Sequence, residues 1–162
     1  MSWRGSTDFK DRFFSALVYA LPLIDVLPYS AGVLDLIPQL GFIYILINPL
    51  LTVYNALNST IPFAGLIIFF ALWLGVVRNQ RISHFIRFNT MQAILIDIAI
   101  ILFGLVLQVI IIGSGSGLIA TTLSNVIFLG VLVACIYGII QSALGSYAEI
   151  PTISEAAYSQ VR

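Results

Sequence analysis

Charge is what this 162-residue chain has least of. Only 9% of its residues are Asp, Glu, Lys or Arg, against 60% hydrophobic, and the mean hydropathy is +1.06. Soluble domains are about a quarter charged. A chain this poor in charge does not clothe a water-facing surface, and it reads as one small membrane domain. Cysteine is scarce as well. The single Cys135 lies in an apolar run, which excludes an internal disulfide and leaves the redox compartment unreadable. The sole histidine, His84, has no second histidine to share a metal with, and the one cysteine is in a span. The chain also lacks CxxC, HExxH and a nucleophile–His–acid set. GSGSG at 113–117 is followed by no GK[ST], so it reads as a turn rather than a phosphate loop. No cofactor and no enzymatic chemistry are expected. The net charge of zero, with no basic patch of the nucleic-acid-binding kind, excludes nucleic acid as a partner class.

What is present is long apolar sequence with one basic interruption. The stretch Val76 to Ala93, VVRNQRISHFIRFNTMQA, carries Arg78, Arg81 and Arg87, three of only seven Lys and Arg residues. Uncharged sequence from Ile61 to Val77 precedes it, and Met91 to Ile112, with one acid, follows. Such a hinge is a membrane-surface loop whose positive charge sets its side.

In chain order, residues 1–12 are a polar arm suited to an amphipathic surface helix, with Trp3 and Phe9 as interfacial anchors. Asp8 and Asp11, with Pro22 and Asp25 further on, argue against a signal peptide. Phe13 to Tyr29 is a short span, with Pro22 and Pro28 predicting a kink and a stop. Ser15, Tyr19, Pro22, Asp25 and Tyr29 recur at three and four, so its polar atoms can share one face that looks into protein or water. Residues 36–57 are long enough to cross, but Asn48-Pro49 predicts a break, hence a re-entrant or interfacial hairpin. Leu118 to Leu144 is the last span, and Gly145 its C-cap.

The expected fold is therefore all-α: four transmembrane helices, with a broken hairpin between the first and second. Four crossings place Arg4, Lys10 and Arg12 on the same side as the central loop, both termini being cytoplasmic. The polar arm is 1–12, the membrane domain 13–145. The polar tail 146–162 is expected to be surface-lying or mobile.

Asp97 is the first candidate for function. Thr90, Ala93, Asp97, Ile101, Gly104 and Gln108 fall on one helical stripe. A carboxylate at membrane depth is costly unless paired, hydrated or protonated, so it must face the bundle or a wetted cavity, near Gln108 or polar atoms of another span. It either lines an ion, proton or polypeptide path, or it holds helices together by hydrogen bonding. Asp25 is a weaker case of the same kind. Arg78, Arg81 and Arg87 either set topology and reach lipid head groups, or dock a cytoplasmic partner. Gly130, Ala134, Gly138 and Ser142 form a small-residue ridge for close helix approach, within this chain or with another subunit. Tyr19, Tyr54, Trp73 and Tyr137 read as belt or packing residues.

FFALWLGVVRNQRISHFIRFNTMQAILIDI at 69–98 resembles the signature of the Tic-twenty family, membrane subunits of the chloroplast inner-envelope protein translocon, and their cyanobacterial relatives. RFFSALVYALPLID at 12–25 and YGIIQSALGSYAEIPTISEAA at 137–157 are similar too. Arg78, Arg81, Phe85, Arg87, Asn89, Met91, Gln92 and Asp97 match the family pattern. The resemblance implies four membrane helices with both termini stromal or cytoplasmic, and a role in moving preproteins across a membrane. The short N-terminus looks like that of a cyanobacterial member, in a plasma or thylakoid membrane, or of a plastid-encoded one. The partners implied are lipids, other membrane subunits or further copies, and preprotein clients. The rival class is an assembly subunit packed against a larger, photosynthetic, membrane complex. A continuous polar lining through the bundle favours transport, and a dry interior with a large lipid-depth contact surface favours assembly.

Overall fold

The computed structural model describes residues 7–115 and 117–161; Trp3 and Arg4 lie outside them. Among the described residues all regular structure is helical. Asp8 caps helix α1 (Phe9–Leu17) in a reciprocal box with Asp11. Helix α2 (Ala20–Val26) follows after a break at Val18–Tyr19. The break is the expected kink, one turn before Pro22: that proline offers no N–H to the Val18 carbonyl, and its ring crowds it. A short turn at Leu27–Tyr29 holds Pro28, and helix α3 (Ala31–Leu36) closes the segment.

Helix α4 (Phe42–Thr60) corrects one expectation. The break predicted at Asn48-Pro49 is absent, and the helix runs through Pro49 unbroken. A proline removes one donor, whereas unravelling a turn in an apolar surrounding would orphan several backbone groups. The carbonyl of Asn48 also takes the Thr52 hydroxyl at 2.8 Å. Helix α5 (Ala64–Leu72) begins after a three-residue turn and ends in a wider turn at Trp73–Val77. The longest helices are α6 (His84–Ser114) and α7 (Leu118–Leu144). Helix α8 (Ile153–Gln160) lies in the tail.

Four helical stretches are long and apolar enough to cross a bilayer: Phe9–Tyr29, Pro38–Thr60, His84–Gly113 and Leu118–Leu144. The set differs from the expected one, because the 61–77 segment is the short member and α4 a long one. Contacts decide where α4 goes. The Tyr44 hydroxyl donates to the Leu27 carbonyl at 3.2 Å, and ten residues later that of Tyr54 donates to Asp25 Oδ1 at 2.7 Å. The two ends of this stretch thus meet points two residues apart on the same segment. Helix α4 is thereby tied to α2 and the turn that follows it.

Ends of the bundle are fixed by three contacts. Ser83 Oγ, capping α6, donates to Asp11 Oδ1 at 2.9 Å. A Cβ on Gly145 would sit 2.9 Å from Arg12 Nε. The residue 77 carbonyl, closing α5, accepts from Arg87 Nε at 2.8 Å. The start of α1, the 78–83 loop and the end of α7 therefore share one end of the molecule. The core holds Tyr19, Val26, Ile96, Ile100, Phe128 and Leu132. Outside it, Ile45, Leu105, Val109, Ile119, Val133 and Ile140 are exposed, a skin suited to acyl chains and not to water.

Candidate functional site

Asn89 and Gln92, two of the polar residues that match the family signature, meet in a closed knot near the shared end. Tyr19 is fully buried, and the break before α2 turns it toward α6. Its hydroxyl lies 2.6 Å from Gln92 Oε1 and 2.9 Å from Asn89 Oδ1. A phenol has one proton. The shorter contact takes it, and Asn89 Oδ1 keeps the Ser142 hydroxyl, at 3.1 Å. Asn89 Nδ2 donates to the Phe85 carbonyl at 2.8 Å. Gln92 Nε2 donates to the Ala148 carbonyl and to Ser154 Oγ, both at 2.8 Å. Ser154 Oγ also accepts from the Ile150 amide at 2.6 Å and donates to Ala148 at 3.1 Å. A buried network satisfied this fully rigidifies what it joins. Here it joins α2, α6, α7 and the tail.

The tail is thus docked, where the sequence led us to expect a surface-lying or mobile segment. Ala148, Ile150, Ala157 and Val161 are buried. Tyr147 hydrogen-bonds His84 Nδ1 at 3.0 Å, and with Phe85, Phe88 and Tyr158 it forms an aromatic cluster over the start of α6. His84 sits in that cluster. Arg87 is buried and caps the α5 end, while Arg78 and Arg81 are exposed, Arg78 lying 5.4 Å over the Trp73 ring. Two arginines face outward and one is structural.

Asp97 and Asp25 lie elsewhere, bordering one cleft of about 550 Å³ with Tyr29 and Tyr54. Asp97 is 5% exposed, and its Oδ1 has no hydrogen-bond partner. Its inward stripe does not continue: Ile101 and Gln108 are exposed, so Asp25 and Tyr54, not Gln108, share its surroundings. The ridge on α7 divides similarly. Gly138 packs on the Tyr19 ring and Ser142 enters the knot, whereas Gly130 has open space around it.

The sequence reading missed Tyr19, Ser142 and Ser154 as partners of Asn89 and Gln92. A signal existed in the polar face of 15–29 and in the small-residue ridge. Nothing marked Ser154, because its part depends on the tail folding back. No group of three His, Cys, Asp or Glu able to hold a metal occurs among the described residues.

Residues 6–157 match the family described as "Chloroplast import apparatus Tic20-like". The chain is 53% identical to a Tic20 family protein of Synechocystis, over 100% of this chain and 99% of that one. It is 38% identical to Protein TIC 20-v, chloroplastic, of Arabidopsis thaliana, covering 96% of this chain and 73% of that protein. The Tic20 family protein Ycf60 of Porphyra purpurea is 33% identical, over 97% and 78%. With its apolar helical bundle and a relative matched along its whole length, this integral membrane protein belongs to the Tic20 family.

Proposed function

We propose that the chain is a non-catalytic subunit of a protein-translocating assembly, and that it forms no conduit alone. One observation carries the second half. Tyr19, Asn89, Gln92, Ser142 and Ser154 are closed on one another in the knot. The core between α2, α6 and α7 around Val26, Ile96, Ile100, Phe128 and Leu132 is apolar, and Asp25 with Asp97 borders a cleft at the side of the bundle and not a lining that runs along it. A polypeptide path needs a polar, hydrated lining through the bilayer. A monomer of this kind supplies none, so transport would arise where copies or other membrane subunits meet. The same apolar core, with the exposed apolar faces of α4 and α7, favours as the second reading an assembly subunit of a larger membrane complex. The membrane is the plasma or thylakoid membrane of a cyanobacterium, or the plastid inner envelope if plastid-encoded. Clients are preproteins.

Lys10, Arg12, Arg78 and Arg81 share one end of the bundle, which supports a cytoplasmic or stromal placement of that end by the positive-inside rule. Single cysteines at Gln80, Gly117 and Ser159 in a Cys135→Ala background, treated with an impermeant thiol reagent from outside, should label only at position 117. Labelling at position 80 from outside would invert the topology. The role itself is tested by depleting the chain and following translocation of preproteins across that membrane. Translocation should fall before other membrane complexes lose abundance. The reverse order would favour the assembly reading.

A further inference from the structure

The cleft between α2, α4, α5 and α6 is acidic in an apolar setting. Asp25 and Asp97 border it, with Tyr54, Leu66, Phe69 and Ile101 around them. Asp97 lies thirteen residues into α6, about 20 Å along the helix from the loop end, which is bilayer depth. Its carboxylate is nearly sealed from water, with Oδ1 unpartnered. Asp25 has one oxygen held by the Tyr54 hydroxyl at 2.7 Å. No Lys, Arg or His is among the described residues that line the space. Leu66 and Ile101, at its rim, are more than half exposed, so the cleft opens sideways, toward acyl chains.

We propose that this cleft receives a Lys or Arg side chain carried at mid-bilayer depth by a transmembrane helix of another protein. A carboxylate without a partner in hydrocarbon is costly, and so is an isolated ammonium or guanidinium there. Each relieves the other when they meet, provided the charged pair is also hydrogen-bonded. The apolar rim suits a helix surface and discriminates against a hydrated ion or a soluble basic peptide, either of which would shed its water on entry. Two carboxylates on separate helices, one already oriented by a phenol, line the same cleft and would share one cationic head group. The docking goes beyond the transport role, and it stands whether or not the assembly moves preproteins.

The test uses the purified full-length chain in lipid vesicles with synthetic Leu/Ala transmembrane peptides, one with a central Lys and one with Met in its place. Association is read by energy transfer from a fluorophore at a Gln80→Cys site in the Cys135→Ala background. The Lys peptide should associate roughly tenfold more tightly than the Met peptide, the scale of one interhelical charged hydrogen bond. Asp97→Asn should abolish that preference, Asp25→Asn should reduce it, and Glu149→Gln, in the exposed part of the tail, should leave it intact. Asp97→Lys should invert it, favouring a peptide with a central Glu. Asn and Lys variants are compared with the parent by thermal unfolding, so that a loss of fold is separated from a loss of binding. Equal binding of the Lys and Met peptides, or a preference that survives Asp25→Asn with Asp97→Asn, would overturn the proposal. Neither result touches the transport role, which is read from preprotein translocation.

Discussion

Gln92→Leu should be among the most destabilising single substitutions in the chain, and it should release the tail. Leucine fills much of the same volume but takes one hydrogen bond from each of the Ala148 carbonyl, Ser154 Oγ and the Tyr19 hydroxyl. The hydroxyl keeps only its longer contact to Asn89, and the tail only the bonds it makes within itself. A hydrogen bond contributes about 1 kcal/mol net, so the loss of three buried ones is expected to cost on the order of 3 kcal/mol. Because two of the three bonds hold the tail, chymotryptic cleavage at Tyr147 or Tyr158 should become fast in the folded variant. Gln108→Leu is the control: the same chemical change at an exposed, lipid-facing position of the same helix. It should leave stability unchanged or raise it. Equal effects at the two positions would mean that the knot is not what stabilises this end.

Gly138→Ala should be the second large loss. The added Cβ would lie 2.5, 2.6 and 2.9 Å from three atoms of the Tyr19 ring. That ring cannot yield easily, since it is fully buried and its hydroxyl is tied to Gln92. Overpacking of this kind costs about 1–3 kcal/mol, and here it also strains the knot. Gly130→Ala, two turns earlier on the same ridge, meets nothing within 4 Å. It should stabilise α7 by up to about 1 kcal/mol through helix propensity alone. Thermal unfolding in mild detergent reads both.

Much of this was legible beforehand, and the reasons differ by element. The apolar runs, the basic loop and the Pro22 kink depend on composition and local sterics, which a single sequence carries. The proline rule gave the wrong outcome in α4, because backbone satisfaction in an apolar surrounding outweighs one missing donor at Pro49. Asp97 was recognised as inward-facing from its cost at depth, and polar atoms of another span were expected beside it as the alternative to Gln108. Which residues supply them, Asp25 and Tyr54 from α2 and α4, is not legible because they are far away in the chain. Asn89 and Gln92 stood out only through the family pattern. Their partners Ser142 and Ser154 are 53 and 62 residues away from them, and no local periodicity reports a tail folding back onto α6. Arg87 shows the same limit: as sequence it is one of three loop charges, and as structure it is a buried cap.

The most direct measurement is the native mass and composition of the particle that holds this chain, isolated from its own membrane in mild detergent. The account predicts a discrete complex well above the 17.7 kDa monomer, containing further copies or other membrane proteins in fixed ratio, with preprotein translocation lost when that complex is lost. Recovery of the chain only as a free monomer, in a membrane whose preprotein translocation is unchanged by its removal, would contradict it.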